Sequence, residues 1–262
     1  MQITVIERRI TFVLPEDGFA SWKINRLKAL SGMFRSVAVL LNVTKWERAN
    51  IEHPLQVMSL GSQEFDLCQI HIEGSDAELA CMVFTNFISD QFTLVNTAHK
   101  SNQLTNIALL SNLPTFHLDF PLSYLHHHSD VDTKSAAFSL ATKCITSSNP
   151  ALICEQFAQR EQTSSTAIGH GIALPHIMSE AIDIPSVSIV SLTEELDWNS
   201  PAQGGVSMII AIALPHNASR DVLLAFTRLT RSLLDPDYCQ LLRTSHEPQA
   251  LKALLTHKLA QA

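Results

Sequence analysis

The stretch GHGIALPH, Gly169 to His176, holds two of the chain's eight glycines, two histidines and a proline. Arg160, Glu161 and the hydroxyls of Thr163, Ser164, Ser165 and Thr166 lie just ahead of it. Imidazole is the side chain best suited to carry a group between partners at neutral pH, because its ordinary pKa leaves much of it uncharged and nucleophilic. To accept a phosphoryl group, one ring nitrogen must face solvent with its lone pair free. The other should be held by a hydrogen bond that fixes the tautomer. Incoming charge needs backbone amides, hydroxyls or an arginine fork nearby. Pro175 restricts its own φ and biases Leu174 toward extended backbone, so His176 is expected at a stiff strand end. Gly169 and Gly171 permit close backbone approach. Arg160, Ser164, Ser165 and Thr166 are the candidates to neutralise and orient the transferred group. His170 has two readings, a partner of His176 or its phosphate, or a polar residue between two glycines. Spacing alone leaves a phosphoryl acceptor and an ordinary surface loop both open.

The elements that would position these residues are legible in the hydrophobic pattern. From about residue 121, helices alternate with apolar strands. Asn149-Pro150 reads as an N-cap followed by proline at the first helical position, opening a helix through Gln159. Strands are expected at 171–175, 186–192 and 207–214. Asn217 is a candidate N-cap for a helix whose face is Val222, Leu223, Phe226, Leu229 and Leu233. A last helix covers 248–259. This alternation points to an α/β layered domain over 121–262. Residues 1–95 read as a smaller α+β unit, with strands at 10–14, 36–43 and 66–72. A helix over 75–88 carries a capping-box pattern at Ser75 and Glu78. Residues 96–120 are polar and rich in Asn, Ser and Thr, as a linker would be. The run His126-His127-His128 reads as solvated, with a metal contact as the alternative.

Composition narrows the classes. At 262 residues the chain suits one large domain or two small ones. With 46% hydrophobic and 16% charged residues it has an ordinary globular composition. A net charge of −7 argues against nucleic acid as a general partner. Five cysteines without a CxxC pair read as reduced, buried thiols of a cytosolic protein. Glu7, Arg8 and Arg9 interrupt the N-terminal apolar stretch, so it does not read as a signal peptide. The apolar run at 208–215 is too short to cross a bilayer. A cytoplasmic location without direct membrane insertion is therefore expected. No GxSxG or HExxH appears, which disfavours a hydrolase. His170 and His176 lack a third ligand, so neither a metal nor another cofactor is expected.

The pattern RE-x-x-SST-x-IG-x-GIALPH resembles the active-site signature of enzyme IIA of the fructose–mannitol class in the bacterial phosphoenolpyruvate:sugar phosphotransferase system. The resemblance continues through the strand SMIIAIALP and the helix ending RLTRSLLDPDYCQLL, covering about 121–262. It implies a mixed β-sheet flanked by helices, and it places the phosphohistidine on His176. It further implies a phosphorylated HPr-type carrier as donor and a sugar-specific IIB domain of a membrane transporter as acceptor. Two departures stand out. The family's frequent second histidine falls on Val222, and the glycine after its Pro-His pair is Ile177. His216 lies six residues before Val222 without a role assigned by the motif.

Residues 10–95 are similar to HPr, the histidine phosphocarrier of the same system, through GFASWKI (18–24), FRSVAVLLN (34–42) and QVMSLGSQEFDLCQIHIEGSDAELA (56–80). The resemblance implies an open-faced α+β sandwich. It sets Ala20 at the phosphohistidine position and Trp22 at the neighbouring arginine. A methyl group accepts no phosphate, so no carrier activity is expected of this domain. Between Gly18 and Trp46 there are five basic residues and no acidic one. Trp22, Lys23, Arg26 and Lys28 are thus either a solvated helix face or a docking patch for an acidic partner. The leading expectation is phosphotransfer through His176. The alternative is a regulatory protein whose binding to a target depends on the phosphorylation of His176.

Overall fold

The computed structural model describes residues 6–97, 110–145, 147, 149–200 and 202–261. The chain divides into two compact units, Met1–His117 with Glu247–Ala262, and Leu118–His246.

The first unit is built on an antiparallel sheet of β1 (Ile6–Val13), β2 (Val37–Asn42), β3 (Glu47–Asn50), β4 (Leu67–Gly74) and β5 (Thr93–Thr97), in the order β3-β2-β4-β1-β5. Alternation along the strands sends Ile10, Phe12, Leu40, Ile70 and Ile72 to one face. There they pack on α1 (Ser21–Ser31), α2 (Pro54–Ser59) and α3 (Ala77–Gln91) through Ile24, Leu27, Val57, Phe84 and Ile88. Thr11 and Gln69 alternate with those residues along β1 and β4, are also buried, and hydrogen-bond each other at 2.9 Å. The helix over Pro248–Ala260 contacts β5 and the 3-10 turn Pro114–Phe116.

The second unit holds a mixed sheet of β6 (Ser123–Ser129), β7 (Ala167–Gly169), β8 (Ile172–Ala173), β9 (His176–Ser179), β10 (Ser186–Leu196) and β11 (Val206–Pro215). The order is β6-β10-β11-β8-β7, with β9 also on β11. Beside this sheet lie α4 (Lys134–Ala141) and α5 (Pro150–Thr163). Phe138 and Phe157 from these helices stack at 5.9 Å, and Phe138 meets the Trp198 ring edge-on at the same distance. The three aromatics close a core with Ile177, Val190, Ile209 and Ala211 from the sheet. Two further helices, α6 (Arg220–Ser232) and α7 (Pro236–Thr244), follow β11. The C-terminal helix, α8 (Pro248–Ala260), belongs to the first unit.

Several elements differ from the sequence reading. The C-terminal helix, expected within the domain over 121–262, makes its contacts with β5 and the turn at Pro114–Phe116 and so groups with the N-terminal unit. Asn96 and Thr97, expected in a linker, end the strand β5; residues 98–109 of that linker lie outside the described residues. The strand expected over 171–175 is interrupted, because Pro175 has no N–H to give to the ladder. The Ser75–Glu78 capping box does not form. Asp76 is the N-cap; its carboxylate accepts from the backbone of Arg35 and Ser36, and Glu78 pairs with Arg8. Ser219 rather than Asn217 caps α6, accepting from the Val222 N–H. The triple histidine forms the edge strand β6, parallel to β10, where His126 Nε2 lies 2.9 Å from Ser191 Oγ. Alternating polar residues on an edge strand carry too little apolar signal to announce a strand.

His257 on α8 is fully buried, with Nε2 2.9 Å from Thr44 Oγ1 and Nδ1 without a hydrogen-bond partner. Burial, reinforced by Lys258, lowers its pKa from 6.5 to about 3. The unfolded chain takes up this proton first, so the stabilisation is complete above about pH 6.5 and is lost as pH falls toward the folded value. Urea denaturation should show stability falling by about 1.4 kcal/mol per pH unit from this group below about pH 6. His257→Leu should flatten that slope, and an unchanged slope would contradict the assignment.

Candidate active site

His176 opens β9, whose pairing with β11 continues the register of β8 across the Leu174-Pro175 break. The Ile212 N–H donates to the Pro175 carbonyl at 2.9 Å, and the Leu174 N–H to the Thr166 carbonyl at 2.9 Å. The segment on both sides of the histidine is thereby fixed. Residues of β9 alternate, so Ile177 and Ser179 point inward while His176 and Met178 are exposed.

The ring itself is oriented by its own backbone. Nδ1 lies 3.0 Å from the Leu174 carbonyl oxygen. A carbonyl only accepts, so Nδ1 carries the hydrogen and the lone pair is on Nε2. Nε2 points toward Arg160, whose Nη2 is 3.5 Å away. Arg160 is itself aimed by the donation of Nη1 to the Ser164 carbonyl at 3.0 Å, across the C-terminal end of α5. A ring nitrogen lone pair and a guanidinium cation are thus brought together on one spot.

That spot opens into a cleft of about 480 Å³. One wall is the face of α5 carrying Gln156, Gln159, Arg160 and Thr163, at helical spacing. The other is formed by His176, Ile177, Met178, Ile212 and Leu214 from β9 and β11. The cleft thus sets a polar helix against a largely apolar strand pair.

The remaining candidates are placed differently. Ser164 acts through its carbonyl, and Ser165 Oγ accepts from the Ala167 N–H at 3.3 Å. Thr166 is 4% exposed, and its hydroxyl donates to Glu161 at 2.5 Å while accepting from Trp198 Nε1 at 3.3 Å. Its hydroxyl is engaged in holding the scaffold. His170 is exposed at φ +53°, between Gly169 (φ +86°) and Gly171 (φ +72°), in the hairpin joining β7 and β8. Three consecutive left-handed residues make that turn, which explains the two glycines. The His170 carbonyl accepts from Arg243 at 3.1 Å, and a Cβ on Gly171 would lie 2.7 Å from the guanidinium carbon. Neither His170 nor the hydroxyls of residues 164 to 166 line the cleft. His216, past the end of β11, donates its N–H to the Ser179 carbonyl, at the opposite end of β9 from His176. Val222 is buried in the first turn of α6.

Behind the site, Glu161 gathers the support. Its side chain is 8% exposed and accepts from Lys134 at 2.9 Å and from both the N–H and hydroxyl of Thr166. Burial pushes its carboxyl up, but these hydrogen bonds outweigh that and hold it below the usual carboxylate range. Lys134 also donates to the Trp198 carbonyl at 2.6 Å and sits 5.0 Å from the Trp198 ring centre. Lys134 and Trp198 were not singled out by the sequence, since they lie 27 and 37 positions from Glu161. Nor was Gln156, although its spacing four residues before Arg160 was a legible signal.

In the first unit, Ala20 is the N-cap residue of α1. Trp22 is 54% exposed, and Arg26 and Lys28 are exposed on the same helix. Lys23, grouped with them as a docking residue, is only 3% exposed. Its ammonium is directed to Asp17 at 2.8 Å, the Gln91 carbonyl at 3.4 Å and the Phe92 ring at 5.0 Å. It serves the packing of its own unit. Among the described residues, no group of three or more His, Cys, Asp or Glu is placed to hold a metal ion. No helix among them is long and apolar enough to cross a membrane.

The sequence model of the phosphoenolpyruvate-dependent sugar phosphotransferase system EIIA 2 family matches residues 121–258. The chain belongs to that family. The EIIA match includes every residue of the cleft and extends into the C-terminal helix. A nitrogen regulatory protein of Bradyrhizobium diazoefficiens is 31% identical over 124 residues, 47% of this chain and 81% of that protein. A multiphosphoryl transfer protein of Shigella flexneri is 32% identical over 105 residues, 40% of this chain and only 12% of that protein. Nitrogen regulatory protein IIA-Ntr from Neisseria meningitidis aligns in structure over 55% of this chain and 94% of its own, at 20% identity and a TM-score of 0.45.

Lys134→Ala should leave the Glu161 carboxylate buried with one donor fewer, destabilising the chain by about 2–3 kcal/mol. Urea denaturation at neutral pH measures this, and a loss under about 0.5 kcal/mol would contradict the supporting role given to the pair.

Proposed function

We propose that this chain is a phosphotransferase in which His176 accepts a phosphoryl group on Nε2 from a phosphorylated HPr-type carrier. It then passes the group to a sugar-specific IIB domain of the fructose–mannitol class. The observation that carries this reading is the ring geometry. Nδ1 is held by Leu174, Nε2 is open to the cleft, and Arg160 waits at 3.5 Å. The donor's P–N bond breaks with its electron pair returning to the donor nitrogen, while the Nε2 lone pair forms the new P–N bond. The hydrogen stays on Nδ1, which goes on donating it to the Leu174 carbonyl. Arg160 stabilises charge on the phosphoryl oxygens, and no proton needs to move during transfer. This chemistry is metal-independent. The apolar strand wall of the cleft offers a protein partner a surface on which to exclude water around the reacting atoms. Such a relay would operate in the cytoplasm.

For the first unit we propose an HPr-like domain that docks but does not carry phosphate. Its antiparallel sheet with three helices on one face supports this reading, as does Ala20 at the start of α1. Trp22, Arg26 and Lys28 are the residues it would present to an acidic partner.

A regulatory role, in which a target reads the phosphorylation state of His176, is the second reading. It is favoured by the nitrogen regulatory relative, 31% identical over 81% of its length, and by Val222, which cannot assist transfer. A sensor tolerates slow turnover.

Incubation with radiolabelled phosphoenolpyruvate and the general carriers should label the wild type and leave His176→Ala unlabelled. Arg160→Ala should slow labelling about 100-fold. Equal labelling of His176→Ala and wild type would contradict the proposal. Release of the label to a IIB domain separates transport from regulation. Retention of the label, with target binding that changes with it, is the outcome expected of the second reading.

A further inference from the structure

Gln156 lies on the same face of α5 as Arg160, one turn toward the N-terminus, and both line the cleft around His176. Its amide is divided. Oε1 is turned inward, shut off from solvent, and meets no donor. The amide nitrogen is not enclosed in this way and has no hydrogen-bond partner among the described residues. A buried amide oxygen without a donor is uncommon in folded proteins and is destabilising. Packing alone would favour an apolar side chain at this position. What the arrangement leaves is this NH2 group on a residue that lines the cleft around the accepting nitrogen.

We infer that Gln156 donates a hydrogen bond from this NH2 group to a non-bridging oxygen of the phosphoryl group on His176. The inference rests on the phosphotransfer reading above. Arg160 already supplies a full positive charge at Nε2. A second cation would bind the phosphorylated state too tightly to release it, whereas a neutral donor orients the oxygens without deepening the trap. In the transfer step Gln156 gains and loses no proton. It fixes the rotation of the phosphoryl group about the P–Nε2 bond, so that the next acceptor meets it in line.

The test uses the full chain, radiolabelled phosphoenolpyruvate and the general carriers, with thermal denaturation of every variant to establish that it is folded. Gln156→Leu should slow phosphoryl uptake about tenfold at saturating carrier, with KM for the carrier changed less than about twofold. Gln156→Glu keeps the shape of the side chain but replaces the donor by an acceptor, so it should slow uptake at least as much as the leucine. Should Gln156→Leu fail to fold, Gln156→Glu decides. A Gln156→Glu rate equal to wild type would overturn the inference, because the ionised carboxylate has no hydrogen to donate. Raised KM at an unchanged limiting rate in both variants would also overturn it, moving the residue to carrier docking. A labelled wild type with unaffected variants removes this inference alone. An unlabelled wild type removes the phosphotransfer reading and this inference with it.

Discussion

The arrangement depends on one hydrogen bond, from Nδ1 of His176 to the carbonyl of Leu174 two residues earlier. An unrestrained imidazole divides its hydrogen between two nitrogens and rotates about two side-chain bonds. Here the backbone makes both choices. It assigns the hydrogen to the inner nitrogen and turns the outer lone pair toward the cleft and Arg160. That carbonyl faces away from β11, whose Ile212 N–H donates to the carbonyl of the next residue, Pro175, while the Leu174 N–H donates to the Thr166 carbonyl on the other side. The strand breaks there into β8 and β9, while the register of both with β11 is preserved.

Everything around this bond keeps its two ends still. The parallel pairing of β9 with β11 holds the histidine, and the last turn of α5 holds the arginine. Glu161, in that same turn, ties α5 to α4 through Lys134 and to the strand leading into β7 through Thr166. Trp198 joins the same group from both its indole nitrogen and its carbonyl. The network is polar and mostly enclosed, so its members are worth more together than singly. Because Glu161 follows Arg160 directly on α5, the network fixes the helix end that carries the cation.

Much of this was legible in the sequence, for identifiable reasons. Asn149-Pro150 announced the start of α5, and the side chain of Asn149 does accept from the Leu152 N–H. Pro175 announced a strand end beside His176, and the two glycines announced backbone freedom, which the structure uses for a left-handed turn. These are local signals, set by residues within a few positions of one another. The roles of Thr166, Lys23 and Glu161 were not legible, because a hydroxyl or a charge does not disclose its partner. Thr166 looked like a phosphate ligand and is a buried strut; Lys23 looked like a docking cation and is paired with Asp17. The neighbour of the C-terminal helix was not legible for the same reason. An amphipathic pattern specifies that a face will be buried, not against which neighbour.

The central claim is that Nε2 of His176 is the nucleophile because Nδ1 is committed to Leu174. Nitrogen-15 NMR of the labelled histidines, before and after phosphorylation by the general carriers, tests it most directly. The account predicts a His176 tautomer with its hydrogen on Nδ1, and phosphorus-coupled splitting on Nε2 after transfer. Hydrogen on Nε2 in the free protein, or phosphorus bonded to Nδ1, would contradict it.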